Sequence, residues 1–172
     1  MAYVILGLLL IYRMSLYDLI RAFEAGPSLF YSASAGSIKR AIDSLLRDGR
    51  IEVDNVEAGG RGRKTYRITA SGEEYFREWM LSEISGSDAE SAALARLYFL
   101  GLLPKEDKGQ VLDNIDQGLG ESLQKLRDVE AEIVHAEIPE HLREVAIYQR
   151  ATLAYGLASH EFALEWFRKN LR

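Results

Sequence analysis

Eight basic side chains, Lys39, Arg40, Arg47, Arg50, Arg61, Arg63, Lys64 and Arg67, fall between Ser37 and Arg67, where they outnumber the acidic ones. The chain as a whole has the opposite balance. Its 172 residues hold 21 Lys and Arg against 26 Asp and Glu, for a formal net charge of −5, and the acidity lies in the second half. A local cationic stretch in an acidic chain has the electrostatic footprint that contact with nucleic-acid phosphates requires. Any one of these cations reads equally well as a solvated surface residue. The weight rests on the order in which they occur.

Other chemistries find little material. The chain has no cysteine, which excludes disulfides, thiol nucleophiles and thiolate metal sites and suits a reducing, cytoplasmic setting. His135 and His141 stand six apart, on different faces of any one helix, with no third ligand near. Gly59-Gly60-Arg61-Gly62 precedes Lys64-Thr65, but Arg63 stands where a phosphate loop needs glycine, and a strand is expected where that motif needs a helix. Asp113, Asn114 and Asp116 miss the alternate spacing of a calcium loop because Ile115 occupies a ligand position. No triad, metal site or cofactor site emerges, so no enzymatic activity is expected.

The elements that must carry the cations can be read from spacing. Tyr3 to Tyr12 is an apolar run too short to span a bilayer and has no basic stretch before it. With Arg13, Asp18 and Arg21 close behind, it reads as a buried helix, with no membrane association. Ser15 caps a second helix in which Leu16, Leu19, Ile20 and Phe23 share a face, ended by Gly26-Pro27. Leu29-Phe30-Tyr31 leads to Ser34, the cap of a third helix through Ile38, Ile42, Leu45 and Leu46 that Gly49 closes. Burying that apolar face turns Lys39, Arg40, Asp43 and Arg47 outward.

The period then changes to two. Ile51 and Val53, and later Tyr66 and Ile68, alternate with polar residues on either side of a glycine-rich loop from Glu57 to Lys64, a two-stranded hairpin with Arg61, Arg63 and Lys64 in its loop. Thr69 to Glu74 opens a fourth helix whose apolar face is Tyr75, Phe76, Trp79 and Met80. Three helices followed by two strands are the order of a winged helix-turn-helix, whose third helix enters the major groove while the wing follows neighbouring phosphates. The expected DNA contacts are Tyr31, Ser34, Ser37, Lys39 and Arg40 around the third helix and Arg61, Arg63 and Lys64 on the wing.

Ser82 to Ser87 reads as a linker, followed by helices from about Ala89 to Leu100, about Lys105 to Ala136 and about Glu140 to Leu171. In the long helix Leu112, Leu119, Leu126 and Ile133 repeat every seven residues, with Ile115, Ser122, Val129 and Ala136 at the second heptad position. The last helix has a similar stripe through Leu142, Ala146, Gln149, Leu153, Gly156, His160, Leu164 and Phe167. Two such seams exceed what one hairpin covers, so a homodimer is expected through Leu112, Leu119, Leu126, Ile133, Leu153, Leu164 and Phe167. The aromatics Tyr98, Phe99, Tyr148, Tyr155, Phe162, Trp166 and Phe167 suit either plain core or the lining of an apolar cavity. On the second reading Tyr148, Tyr155, His160 and Trp166 would hold a small aromatic or hydrophobic effector; on the first, His160 is a hydrogen-bonded, silent residue.

The N-terminal residues Ile5-Leu6-Gly7-Leu8-Leu9, Tyr17-Asp18-Leu19, Ser34-Ala35-Gly36-Ser37-Ile38 and Gly49-Arg50-Ile51 resemble the pattern of the PadR family. Arg63-Lys64-Thr65-Tyr66-Arg67-Ile68-Thr69-Ala70-Ser71-Gly72 matches that family's closing Tyr-x-[Leu/Ile]-Thr-x-x-Gly signature. Leu97 to Leu102, and Tyr155-Gly156-Leu157 leading to Glu165-Trp166, look like its longer branch, so the resemblance covers nearly the whole chain. It departs at Leu16, where the family often has Gly, and at Lys39-Arg40, where it commonly has Tyr-Pro. The resemblance implies repression, or sometimes activation, of a nearby gene, dimerisation through the C-terminal helices and release from DNA on effector binding. Some members of the family respond to phenolic acids or hydrophobic drugs.

The sequence thus points to a mainly α chain with a two-stranded β wing. A winged helix-turn-helix at residues 1–82 precedes a helical, coiled-coil-like dimerisation and sensing domain at 88–172. Its expected function is sequence-specific binding of double-stranded DNA as a transcriptional regulator, a repressor released by an effector. The alternative is a winged helix used as a protein-binding module, against which the basic wing argues.

Overall fold

The computed structural model describes residues 1–56, 62–86, 88–134 and 137–171, which form seven α-helices and three short β-strands. They divide into two compact units, one of Met1–Ser82 with Leu94–Val111 and one of Glu83–Ala93 with Leu112–Arg172.

In the first unit α1 (Ala2–Ile11) is buried from Val4 to Leu9 without a break. A helix apolar on every side has no solvent face. Here α3 (Ala35–Arg47), α4 (Ala70–Leu81) and β3 (Lys64–Ile68) surround it. Gly7 admits the ring of Phe99 from α5 (Ala89–Phe99), to which an added Cβ would come within 2.7 Å.

Each turn into a helix is set by a local cap. Ser15 opens α2 (Leu16–Ala25) with a capping box, its hydroxyl accepting from the Asp18 amide at 3.3 Å while the Asp18 carboxylate accepts from the Ser15 amide at 2.9 Å. Ser34 and Ser37 make the same reciprocal pair at α3, and Thr69 caps α4 by accepting from the Gly72 amide. Gly49, at φ +66°, ends α3 with its amide on the Leu46 carbonyl and the Arg50 amide on the Leu45 carbonyl. That left-handed geometry is why glycine stands there.

The sheet holds one strand more than the expected hairpin. β2 (Ile51–Val56) pairs antiparallel with β3, and β1 (Met14–Ser15) pairs with the other edge of β3, Met14 opposite Tyr66 and Ser15 opposite Thr65. Two residues are too few to show a period, so β1 is defined only by its partner. Arg96, 3% exposed, lies with its guanidinium 4.7 Å from the Trp79 ring and donates to the Trp79 carbonyl and the Ser82 hydroxyl at the end of α4. Burial pushes its pKa down to about 10, which leaves it a cation near the negative end of that helix. Tyr3 stacks on the same indole, and burial together with its hydrogen bond to Tyr75 pushes its phenol up to about 12. Arg77 and Asp107 fix α4 to the start of α6 (Lys105–Val134) through bonds of 2.7 and 2.9 Å.

In the second unit residues of α6 lie antiparallel to α7 (Arg143–Leu171). Asp116 accepts from Arg168 at 2.6 and 3.0 Å, and Glu161 from Arg127 at 2.8 Å. Ile115, Leu119 and Leu123 of α6 and Leu157, Ala163, Leu164 and Phe167 of α7 are buried, and Gly118 lets Ile84 approach the helix. The expected continuation of α6 to His135 and Ala136 lies outside the described residues, as do the loop residues Glu57 to Arg61 and Ser87 of the linker. No helix among the described residues is long and apolar enough to cross a membrane.

Candidate nucleic-acid interface

The third helix presents the face its spacing predicts. Ile38, Ile42 and Leu45 are at most 3% exposed, while Lys39, Arg40, Asp43 and Arg47 face solvent. Ser34 and Ser37 sit at its N-terminus with their hydroxyls engaged in the cap: Ser37 Oγ accepts from the Ser34 amide at 2.9 Å and donates to the Ser34 carbonyl at 2.8 Å. Tyr31 is half-buried, its amide donating to the Pro27 carbonyl of the turn before α3. That turn leans on Tyr98, whose ring lies 5.6 Å from Phe30 and close over Gly26.

The wing stands beside this helix. Tyr66 of β3 is near enough to α3 for Asp43 to raise its phenol pKa, after burial, and for Lys39 to oppose the shift. Lys64 leads β3 and is exposed; Arg63 precedes it, after Gly62 at φ +52°. Arg61 lies outside the described residues.

The folded chain already pairs much of the positive charge counted in the sequence. Arg67 meets Glu52 and Asp54, Arg47 meets Asp48, and Lys39 reaches Asp43 at 3.4 Å. Arg50 donates to the Ser71 carbonyl at 2.7 Å and lies over Tyr75. One guanidinium nitrogen of Arg63 lies 2.7 Å from both carboxylate oxygens of Asp18. Among the described residues Arg40 and Lys64 have no carboxylate within 4.0 Å. The exposed pairs of Arg47 and Lys39 are worth about 0–1 kcal/mol and are screened by salt, so these two cations trade readily for phosphate. Sequence reasoning missed Asp18 as a partner of the wing because the two residues are 45 positions apart.

In the second unit the seam residues divide. Leu119, Leu164 and Phe167 are buried between α6 and α7 of one chain, and Leu112, Leu126, Ile133 and Leu153 are half-buried. Ile133 lines an open groove of about 340 Å³ with Leu142, Val145 and Arg150. Tyr148, Tyr155 and Trp166 are 67%, 76% and 40% exposed, in a row with Phe162 at 68%. His160 is half-buried, its Nδ1 2.8 Å from the Gly156 carbonyl.

Three helices, a capped third helix and an antiparallel wing define a winged helix-turn-helix, here followed by an extended helical segment. The model of the family Virulence activator alpha C-term matches residues 91–172. The chain is similar in structure to Bacillus subtilis PadR in complex with operator DNA, at 20% identity over 98% of this chain and 95% of that one, with a TM-score of 0.44. It is similar also to smu.1604c from Streptococcus mutans UA159, at 24% identity, 99% and 97% coverage and a TM-score of 0.45. A third similar structure is the PadR-like transcriptional regulator BC1756 from Bacillus cereus, at 24% identity, 99% and 94% coverage and a TM-score of 0.43. No curated protein matches the sequence.

Proposed function

We propose that this chain is a PadR-like transcriptional regulator, a homodimer that binds operator DNA through α3 and the wing and answers to a small aromatic or hydrophobic effector. The observation that carries the reading is the pair of exposed cation sources on one unit. A helix held by a reciprocal serine cap turns Lys39 and Arg40 to solvent, and exposed Lys64 opens β3, whose Tyr66 feels the charges of Lys39 and Asp43 on that helix. Helix side chains near an N-terminus reach base edges in the major groove, and a basic wing grips the adjoining backbone.

The dimer rests on the outer face of α7, where Tyr148, Tyr155 and Phe162 recur every seven residues and leave large aromatic surface in water. A second copy of that face would cover it and add to the seam expected from the heptads. Side chains as exposed as Tyr148 and Tyr155 cannot enclose a ligand within one chain, so an effector cavity built from them belongs to the dimer. Such a dimer reads a pseudo-palindromic site with half-sites about one helical turn, or a multiple of it, apart.

The test compares binding to the DNA upstream of the chain's own gene with binding to a random duplex, for the unsubstituted protein and for Lys39→Ala/Arg40→Ala. Preference for the upstream DNA, reduced roughly ten-fold or more by the double substitution, is the expected result, since one good base contact is worth about 1–3 kcal/mol. Equal loss on both duplexes would make Lys39 and Arg40 backbone contacts only. Absence of any duplex binding would favour a protein-binding module.

A further inference from the structure

The pair formed by Asp18 and Arg63 has a position that the DNA-binding reading does not use. Asp18 belongs to the first turn of α2, and its Oδ2 accepts from the Ser15 amide at 2.9 Å and from the Ser15 hydroxyl at 2.7 Å. Ser15 is in turn the β1 residue opposite Thr65 of β3. Arg63 stands two residues before Thr65 and closes the ring by placing one nitrogen 2.7 Å from each Asp18 oxygen. Chain connectivity, one strand pairing, one cap and one ion pair thus form a closed circuit around the residues that lead into β3.

Two features separate this pair from an ordinary surface ion pair. The carboxylate is held by its cap before Arg63 arrives, so little side-chain entropy is lost on its side of the bond. The pair also borders an open groove of about 640 Å³ that Leu16, Tyr17, Ile20, Tyr66 and Lys64 help to line. The Ser15 amide, ahead of its hydroxyl and Arg63, holds the Asp18 carboxyl below the usual range, so it is ionised at neutral pH.

We propose that Asp18 and Arg63 form a latch that sets where Lys64 stands against a duplex, and that Arg63 is a positioning residue and not a phosphate contact. The proposal rests on the DNA-binding reading. Phosphate contacts fix the register of a protein on DNA only when the cations keep their spacing. A latch to the N-terminus of α2 gives the wing that fixed reference.

The sign of one substitution separates the latch from simple electrostatics. Removing an anion beside a polyanion should tighten binding and free Arg63 for a phosphate; removing half of a latch should loosen it. The experiment titrates a mixed-sequence duplex at several salt concentrations with the full chain and with Asp18→Asn, Arg63→Ala, their double variant and Lys64→Ala. Asparagine keeps an acceptor for the Ser15 amide and so spares the cap of α2. Amide hydrogen exchange at Lys64 and Thr65, without DNA, reads the latch directly.

The latch predicts that Asp18→Asn and Arg63→Ala each weaken binding roughly two- to five-fold, the scale of one well-placed surface pair. The double variant should bind no worse than either, the salt slope should stay unchanged, and exchange at both amides should be faster. Lys64→Ala should instead lower the salt slope by about 0.9, the signature of one lost phosphate. Tighter binding by Asp18→Asn, a slope lowered by Arg63→Ala, or unchanged exchange would overturn the proposal. A chain that binds no duplex at all would refute the DNA-binding reading, and the exchange data would then decide the latch alone.

Discussion

A single missing side chain can matter more than any contact present. A Cβ on Gly72 would stand 2.0 Å from the Arg50 carbonyl oxygen and 2.8 Å from Ile68, and the Arg50 carbonyl accepts the Thr69 amide next to the α4 cap. Backbone cannot rotate away as a flexible side chain can, so Gly72→Ala forces β2 and α4 apart. The expected cost is about 1–3 kcal/mol of folding stability, measured by denaturant unfolding; an unchanged midpoint would contradict the packing described. The caps at Ser15 and Ser34 were legible in the sequence because capping is a local matter of residue type and spacing. The partner of Arg63 was not, since Asp18 is brought to it by the pairing of β1 with β3.

At the scale of elements, Arg77 and Asp107 join α4 to α6, and the carboxylate is nearly covered while the guanidinium remains half-exposed. The hydrogen bonds from Arg77, then its charge, hold the Asp107 carboxyl below its ordinary value. A folded-state pKa below the unfolded one contributes stability that is complete above the unfolded value and lost as pH falls through the folded one. Unfolding midpoints taken between about pH 6 and pH 2 should therefore fall more steeply for the unsubstituted chain than for Asp107→Asn. Parallel curves would mean that the pair adds nothing to folding. The sequence showed that α7 has an apolar stripe; toward its C-terminus Leu164 and Phe167 are buried, while Ala146, Leu153, Gly156 and His160 are half-buried and Leu142 and Gln149 near its start face solvent. It could not show which chain covers it: periodicity defines a face, whereas burial by α6 of the same chain depends on the hairpin register that Asp116 with Arg168 and Arg127 with Glu161 set.

For the whole molecule, the two outstanding surfaces are the cationic face of the first unit and the aromatic face of α7. Tyr155 and Phe162 are 76% and 68% exposed, so replacing both with lysine leaves the fold of the chain intact. Burying one such side chain in an interface is worth about 1.5–3 kcal/mol, so the double substitution should weaken a dimer built on this face roughly a hundred-fold or more. Sedimentation equilibrium reads this directly, and an unchanged association constant would place the dimer elsewhere. The charge pattern was legible as a local excess, but the sequence overstated it, because Glu52, Asp54 and Asp43 fold back onto Arg67 and Lys39.

If the cations left exposed on α3 and β3 grip a duplex, the salt dependence of duplex binding, measured for the unsubstituted chain and for Arg40→Ala/Lys64→Ala, reads that grip. Binding should weaken steeply as salt rises, and the variant should bind more weakly with a slope shallower by about 1.8, two phosphates' worth of released counterions. Binding that ignores salt, or a variant whose slope equals that of the unsubstituted chain, would contradict it.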